Sequence, residues 1–260
     1  MAAPGRAIPA EEVIAAIESE KPALVFLVQG ESSTGVHQSL AGIGAATRAA
    51  GALLIVDTVA SLGGVPFFGD AWCVDAAYAG SQKVLSAPPG AAPLFLGERA
   101  AAKLKARATK PTSYNLDLNL IGAYWGWSGP RAYHHTGMVS TWYGLREALA
   151  IVCEEGLESL WARHAAAAAR LWRGLDALGL QPYASPGDGL VTVNTIKVPA
   201  GVDAAAVAAA CLASHSVEIA GGLGPSAGAA WRVGVMGTNA CSEAVDTVLA
   251  ALGAALGKKE

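Results

Sequence analysis

Two apolar runs, PALVFLVQG at residues 22–30 and ALLIVDTVAS at residues 52–61, flank a stretch with helical spacing at Leu40, Ile43 and Ala46 that stops at Gly51. Strand, helix and strand within about 40 residues make a βαβ unit, whose right-handed crossover sets the two strands parallel. The run before the crossover ends in Gly and carries no charge, so it reads as a buried strand. VDAAYAGS supplies a third strand and APLFLGE a fourth. In sheets of this kind ligands collect beyond the carboxyl ends of the strands. Ser32, Asp57 and Lys83 each fall at such an end.

Downstream the character changes. TSYNLDLNLIGAYWGWSGPRAYHHT is aromatic and irregular, and a long helical region follows from about Val139 to Leu178, broken near Gly156. LVTVNTIKVP alternates like a strand, VDAAAVAAACLASHS reads as a helix, AAWRVGVMG as another strand, and SEAVDTVLAALGAALG as a terminal amphipathic helix. A boundary near residue 155 therefore divides the chain into a first domain, 1–155, and a small α/β domain, 156–260.

Hydrophobic residues make up 53% and charged ones 15% of the 260 residues, which is the composition of a globular chain with a substantial core. With a net charge of −3 and no long basic run, nucleic acid is not an expected partner. No apolar stretch reaches the ~20 residues of a membrane span, and MAAPGRAIPAEEV lacks a secretory core. Cys73, Cys153, Cys211 and Cys241 are scattered without C-x-x-C spacing, which predicts buried, reduced thiols in an intracellular protein.

Chemistry concentrates at Lys83 and Asp57. A lysine among Gly80, Ser81 and Gln82 is a flexible amine in a loop, suited to Schiff-base chemistry. An aspartate closing a buried strand is a counter-charge for a pyridinium nitrogen. Together they point to pyridoxal phosphate (PLP). The plainer readings are a solvated lysine near a turn and an aspartate capping that turn. Arg232 could likewise be the outward residue of an alternating edge strand. His134 and His135 are adjacent, so their rings should diverge in an extended segment, and no metal site is expected from them or from the other histidines. Trp125 and Trp127 read as core or as a subunit interface. GGLGPSAG precedes a strand rather than a helix and reads as a turn near the substrate mouth, not a dinucleotide fingerprint.

GESSTGVHQSL, LLIVDTVASLGG, YAGSQKVLSAPPG, YHHT and GGLGPSAG…WRVGVMG, in that order, resemble the alanine–glyoxylate (serine–pyruvate) aminotransferases of class V. The similarity runs from about residue 20 to the terminal helix. It implies an α/β fold: an incomplete PLP fold-type I large domain with a mostly parallel sheet, followed by a small C-terminal α/β domain. It also implies transamination of alanine or serine with glyoxylate or pyruvate, with small amino acids and 2-oxo acids as ligands. By the same resemblance Lys83 would anchor the cofactor and shuttle the proton, Asp57 would hold the ring nitrogen protonated, and Val59 would pack on one ring face. Gln82 would help hold the phosphate, Ser32 would touch cofactor or substrate, and Arg232 would clamp the substrate carboxylate. Tyr133 and Thr136 would reach the phosphate in the other subunit of a homodimer. Relatives of this kind imply a peroxisome or mitochondrion, with the cytosol left open, and the terminal GKKE is not an S-K-L address. The group also includes lyases and desulfurases, whose mobile catalytic cysteine has no obvious counterpart here.

The same resemblance implies a chain shortened at its N-terminus. In the family that portion supplies a Ser-Gly-His phosphate loop, a Trp stacked on the second ring face, and an arm around the partner subunit. Each charge-assisted hydrogen bond to phosphate is worth roughly 1.5–3 kcal/mol, so a weakened cofactor site and apolar sheet edges are expected. The alternative function is then a catalytically silent isoform that at most pairs with full-length subunits.

Overall fold

The computed structural model describes residues 3–127 and 129–258. Helix α1 spans Ala10–Glu20, with Glu11 and Glu12 in its first turn where the dipole favours acid, and ends on Lys21 at φ 46°. Strand β1 (Leu24–Val28) follows, then a two-residue ribbon of β2 (Gly30–Glu31) and β3 (Val36–His37), helix α2 (Ile43–Ala49), β4 (Leu53–Asp57), β5 (Ala76–Tyr78) and β6 (Leu94–Leu96). Short helices α3 (Glu98–Lys105) and α4 (Leu118–Tyr124) lead to α5 (Val139–Glu155) and α6 (Leu157–Ala177). The last stretch runs β7 (Val193–Lys197), α7 (Ala204–His215), β8 (Ala220–Gly221), β9 (Ala230–Gly234) and α8 (Ser242–Ala255).

The first sheet has the order β1-β4-β5-β6, with β1, β4 and β5 parallel and β6 antiparallel to β5. Its register places Val28, Asp57 and Tyr78 side by side at one end. Leu54 and Val56 of β4 are fully buried, as expected of a strand with neighbours on both sides. β1 is different. Leu24 and Phe26 are 47% and 50% exposed, so the expectation of a buried strand is corrected: β1 is the sheet's edge and one of its faces is open.

The second sheet, β7-β9-β8, is antiparallel, with β9 in the middle. Against it pack Leu171 and Leu175 of α6, Val207 and Cys211 of α7, and Val245 and Leu252 of α8. Trp231 of β9 lies at the centre of this core with no exposure, and its Nε1 donates to the Ala204 carbonyl at 2.9 Å. Burial of each such side chain contributes about 1.5–3 kcal/mol. β7 does not alternate between buried and exposed as its sequence suggested: Val193 through Ile196 are all buried. The first part of the chain covers it, with Thr195 against Gly35 and, just ahead of the strand, the Thr192 hydroxyl donating to the Ala60 carbonyl at 2.5 Å. Asp203 caps α7, its Oδ1 accepting from the N–H groups of Ala205 and Ala206.

One further expectation is corrected here. Of the four free cysteines only Cys211 is buried, and Cys153 on α5 is exposed. Of the two readings of Trp125 and Trp127, core and subunit interface, exposure removes the first: they are 71% and 37% exposed beside an apolar cleft of about 820 Å³ that also involves Leu94, Leu96, Ile121 and Trp142.

Candidate active site

The C-terminal end of β4 delivers Asp57, and the chain turns at once so that the Val59 N–H donates to Asp57 Oδ1 at 2.8 Å. Oδ2 accepts from the hydroxyl of Tyr78 at 2.7 Å, reached across the parallel β4–β5 register. Thr58, buried, donates both its N–H and its hydroxyl to the Tyr78 carbonyl, at 2.9 and 2.8 Å. These bonds weld the Asp57–Val59 corner to the end of β5. Burial first, then the hydrogen bond and charge of Asp57, push the Tyr78 phenol up to about 12. Tyr78 was not singled out from sequence; its signal was a lone aromatic in register with Asp57, two residues before Gly80.

The chain leaves β5 through Gly80, Ser81, Gln82 and Lys83. Gly80 sits between Val59 and Gln82: a methyl group there would lie 3.4 Å from Val59 Cγ1 and 3.0 Å from Gln82 Oε1. Asp57, Val59, Gln82 and Lys83 thus stand at the carboxyl end of the first sheet, on the adjacent loops that follow β4 and β5. Gln82 is exposed and Lys83 half-buried.

Arg232 comes from β9, where it pairs with Thr195 on one side and Ala220 on the other. The reading of Arg232 on an edge strand is therefore corrected, since β9 is central. Its Nε donates to the Gly221 carbonyl at 2.8 Å and its Nη1 to the Ser32 carbonyl at 3.1 Å. The hydroxyl of Ser226, in the GGLGPSAG turn, lies 3.3 Å from the Ser33 carbonyl. The structure thus brings Arg232, Ser32 and that turn together, joining the second sheet to the loop between β2 and β3. Ser32 stands in that loop rather than directly at the end of β1.

Tyr133 and Thr136 stand apart from this group. Tyr133 is 71% exposed and its hydroxyl meets Thr136 Oγ1 at 2.8 Å. Between them the two histidine rings do not diverge, contrary to expectation: their Nδ1 atoms are 2.8 Å apart. His134 Nε2 faces the Tyr114 carbonyl at 3.1 Å, which only accepts, so a neutral His134 carries its proton there and takes the Nδ1–H of His135. The segment is irregular rather than extended, and the Tyr114 ring stacked on His134 at 4.3 Å turns that imidazole inward.

The class-V aminotransferase family pattern matches residues 3–248. The chain belongs to the class-V aminotransferases. This class-V aminotransferase is 48% identical over 255 residues to the alanine–glyoxylate aminotransferase of Drosophila melanogaster, covering 97% of the chain and 65% of that relative. The counterpart from Callithrix jacchus is 46% identical, with 97% and 62% covered. Among solved structures, an alanine–glyoxylate aminotransferase from Nostoc sp. superposes with a TM-score of 0.93 at 46% identity, over 97% of the chain and 66% of that protein. The ureidoglycine–glyoxylate aminotransferase of Bacillus subtilis superposes with a TM-score of 0.94 at 40% identity, over 98% and 65%. The chain thus spans just under two thirds of the length of these relatives, and its fold is that of their α/β aminotransferase architecture with a mostly parallel sheet.

Proposed function

We propose that this chain carries the core of a PLP-dependent transaminase of the alanine–glyoxylate type, passing an amino group from alanine or serine to glyoxylate or pyruvate. The observation that carries the reading is that Asp57 and Lys83 stand at the carboxyl ends of the neighbouring parallel strands β4 and β5, with Val59 and Gln82 flanking the bare Gly80 between them. That donor set fits the cofactor: an amine, a carboxylate already oriented by two donors, and an apolar wall. When bound, PLP supplies an electron-withdrawing ring that stabilises negative charge at the substrate Cα.

The chain's own residues then take separate parts. Lys83 would hold the cofactor through its amine and move the proton at the substrate Cα. Asp57 would keep a proton on the ring nitrogen, its charge held in place by Tyr78 and the Val59 N–H. Val59 would cover one ring face, and Gln82 and Ser32 would contribute polar contacts. Arg232 spends two of its five N–H groups on the backbone carbonyls of Ser32 and Gly221. Neutral acceptors orient the guanidinium without cancelling its charge, and three N–H groups are left for a substrate carboxylate. The exposed Tyr133–Thr136 pair and the open aromatic face around Trp125 suit a second subunit, so the working form would be a homodimer. A peroxisomal or mitochondrial setting goes with this reading.

The test is a visible spectrum of the purified chain with added PLP, before and after alanine. An absorption band that depends on Lys83 and collapses with alanine is expected. A Lys83→Ala chain giving the same band would end the assignment. A wild-type chain giving none, yet co-eluting with a coexpressed full-length relative, would favour the silent subunit.

A further inference from the structure

Lys83 lies in a turn pinned at both ends. On the upstream side Ser81 is fully buried, its Oγ donating to the Pro88 carbonyl at 2.6 Å and accepting from the Ala91 N–H at 3.3 Å. On the downstream side the Ser86 N–H donates to the Lys83 carbonyl at 3.0 Å. Ser86 has φ 58°, a left-handed backbone that is uncommon for a residue with a side chain and needs outside support. That support comes from far along the chain: the Thr238 N–H donates to Ser86 Oγ at 3.1 Å.

Thr238 belongs to the tight turn Gly237–Asn239 that follows β9. Gly237 has φ 56° and sits so close to Ser86 Oγ and the Val84 carbonyl that no side chain would fit. Consecutive residues of α6 grip both polar groups of this one residue. Its N–H donates to His164 Nε2 at 2.9 Å, and its carbonyl accepts from Arg163 Nη1 at 2.7 Å. Arg163 is held in turn by Glu155, whose two oxygens accept from Nε and Nη2 at 2.6 and 2.8 Å. His164 is completely buried, and its Nδ1 lies 2.8 Å from the Leu160 carbonyl. A carbonyl accepts and a peptide N–H donates, so the ring is fixed as one neutral tautomer: proton on Nδ1, lone pair on Nε2.

We propose that His164 is a positioning residue for Lys83, its Nε2 lone pair setting the Gly237 turn, which through Thr238 and Ser86 holds the turn that carries the amine. The relay runs from α6 to the loop that follows β5 at the carboxyl end of the first sheet and ties the two sheets together behind the site. It rests on the reading of Lys83 as the cofactor-holding amine, but the mechanical link exists whether or not cofactor binds.

Hydrogen exchange read by mass spectrometry on the full chain, without added PLP, tests it. In His164→Met, which keeps the volume and loses the acceptor, exchange at residues 236–240 and at residues 80–87 should both rise about tenfold, the scale of one lost buried hydrogen bond. His164→Gln, whose Oε1 can take the place of Nε2, should restore both. A rise at 236–240 with no change at 80–87 would overturn the proposal and leave His164 a local core residue. Should His164→Met exchange everywhere, Ser86→Ala decides: faster exchange at 80–87, with the Gly237, Asn239 and Ala240 amides still protected and only Thr238 deprived of its acceptor, is expected, and unchanged exchange at 80–87 overturns the relay. Failure of the cofactor reading shows separately, as the absence of a Lys83-dependent band on adding PLP.

Discussion

The Tyr78 hydroxyl meets Oδ2 of Asp57 across the β4–β5 register at 2.7 Å, so this carboxylate of the candidate site already accepts a hydrogen bond before any ligand arrives. The phenol is the donor, and its ionisation would set two negative charges side by side.

That pairing predicts a late-titrating tyrosine. The phenol is raised from 10.0 to about 12, chiefly by burial and then by Asp57. Because the folded value lies above the unfolded one, the stability it contributes is intact below about pH 10 and fades as pH rises through about 12. Tyrosinate absorbance should show one phenol still neutral at about pH 11 in the wild type, and Asp57→Asn should bring it down part of the way. Identical titrations in the two chains would mean that the bond does not form in solution.

A second prediction concerns Asp75, which immediately precedes β5 and is 2% exposed. Its oxygens accept from the Leu54 N–H at 2.8 Å and from Arg99 Nη1 at 3.1 Å, while Arg99 Nη2 donates to the Ala52 carbonyl at 2.7 Å. Arg99→Met leaves a buried carboxylate without its cation and should cost about 3 kcal/mol in urea unfolding. The double change with Asp75→Asn should recover part of that loss. A single-variant cost under about 0.5 kcal/mol, the size of a surface pair, would show that solvent already screens Asp75.

Acid sensitivity follows from His164. Burial pushes its pKa down, Arg163 adds to the effect, and the Leu160 carbonyl and Glu155 oppose it. The unfolded chain therefore takes up a proton below 6.5 that the folded chain refuses. Stability should be flat above that pH and fall beneath it, by at most about 1.4 kcal/mol per pH unit from this ring. His37, also depressed by burial, adds a similar slope. Urea midpoints between about pH 7.5 and pH 5.5 should fall less steeply in His164→Gln, since one of the two rings is gone. Parallel slopes would place the protonation elsewhere.

How much of this was legible in the residues follows from where the signals are local. The βαβ unit announced itself because a stretch of helical spacing lies between two apolar runs, and Asp57 was conspicuous as a charge closing the second of them. The openness of β1 was not legible, since an apolar run looks the same on an edge as in a centre. Helix α1 was not expected: only its first four residues, AEEV, fall within MAAPGRAIPAEEV, a stretch that speaks to a secretory core and not to a helix. Tyr78, Ser86 and His164 went unnoticed for a common reason. Each acts through a partner far away in sequence: Asp57 is 21 residues from Tyr78, Thr238 is 152 from Ser86, and Gly237 is 73 from His164. No spacing rule reaches that far.

Arg232 gives the sharpest test of the substrate end. Its fork is aimed by two carbonyls from different parts of the chain, Gly221 beside it in the sheet and Ser32 in the loop between β2 and β3. Lysine at this position keeps the charge and loses the planar fork, so it cannot hold both carbonyls and still present paired donors to a carboxylate. Each charge-assisted hydrogen bond lost is worth about 1.5–3 kcal/mol, so the alanine concentration that half-depletes the PLP band should rise roughly 10- to 100-fold in Arg232→Lys. The PLP concentration at which the band forms should change far less than this, because Arg232 contacts neither Asp57 nor Lys83 and holds Ser32 only by its backbone carbonyl. An equal loss of PLP and alanine affinity would mean that Arg232 merely holds the two sheets together, and the carboxylate clamp would have to be sought elsewhere.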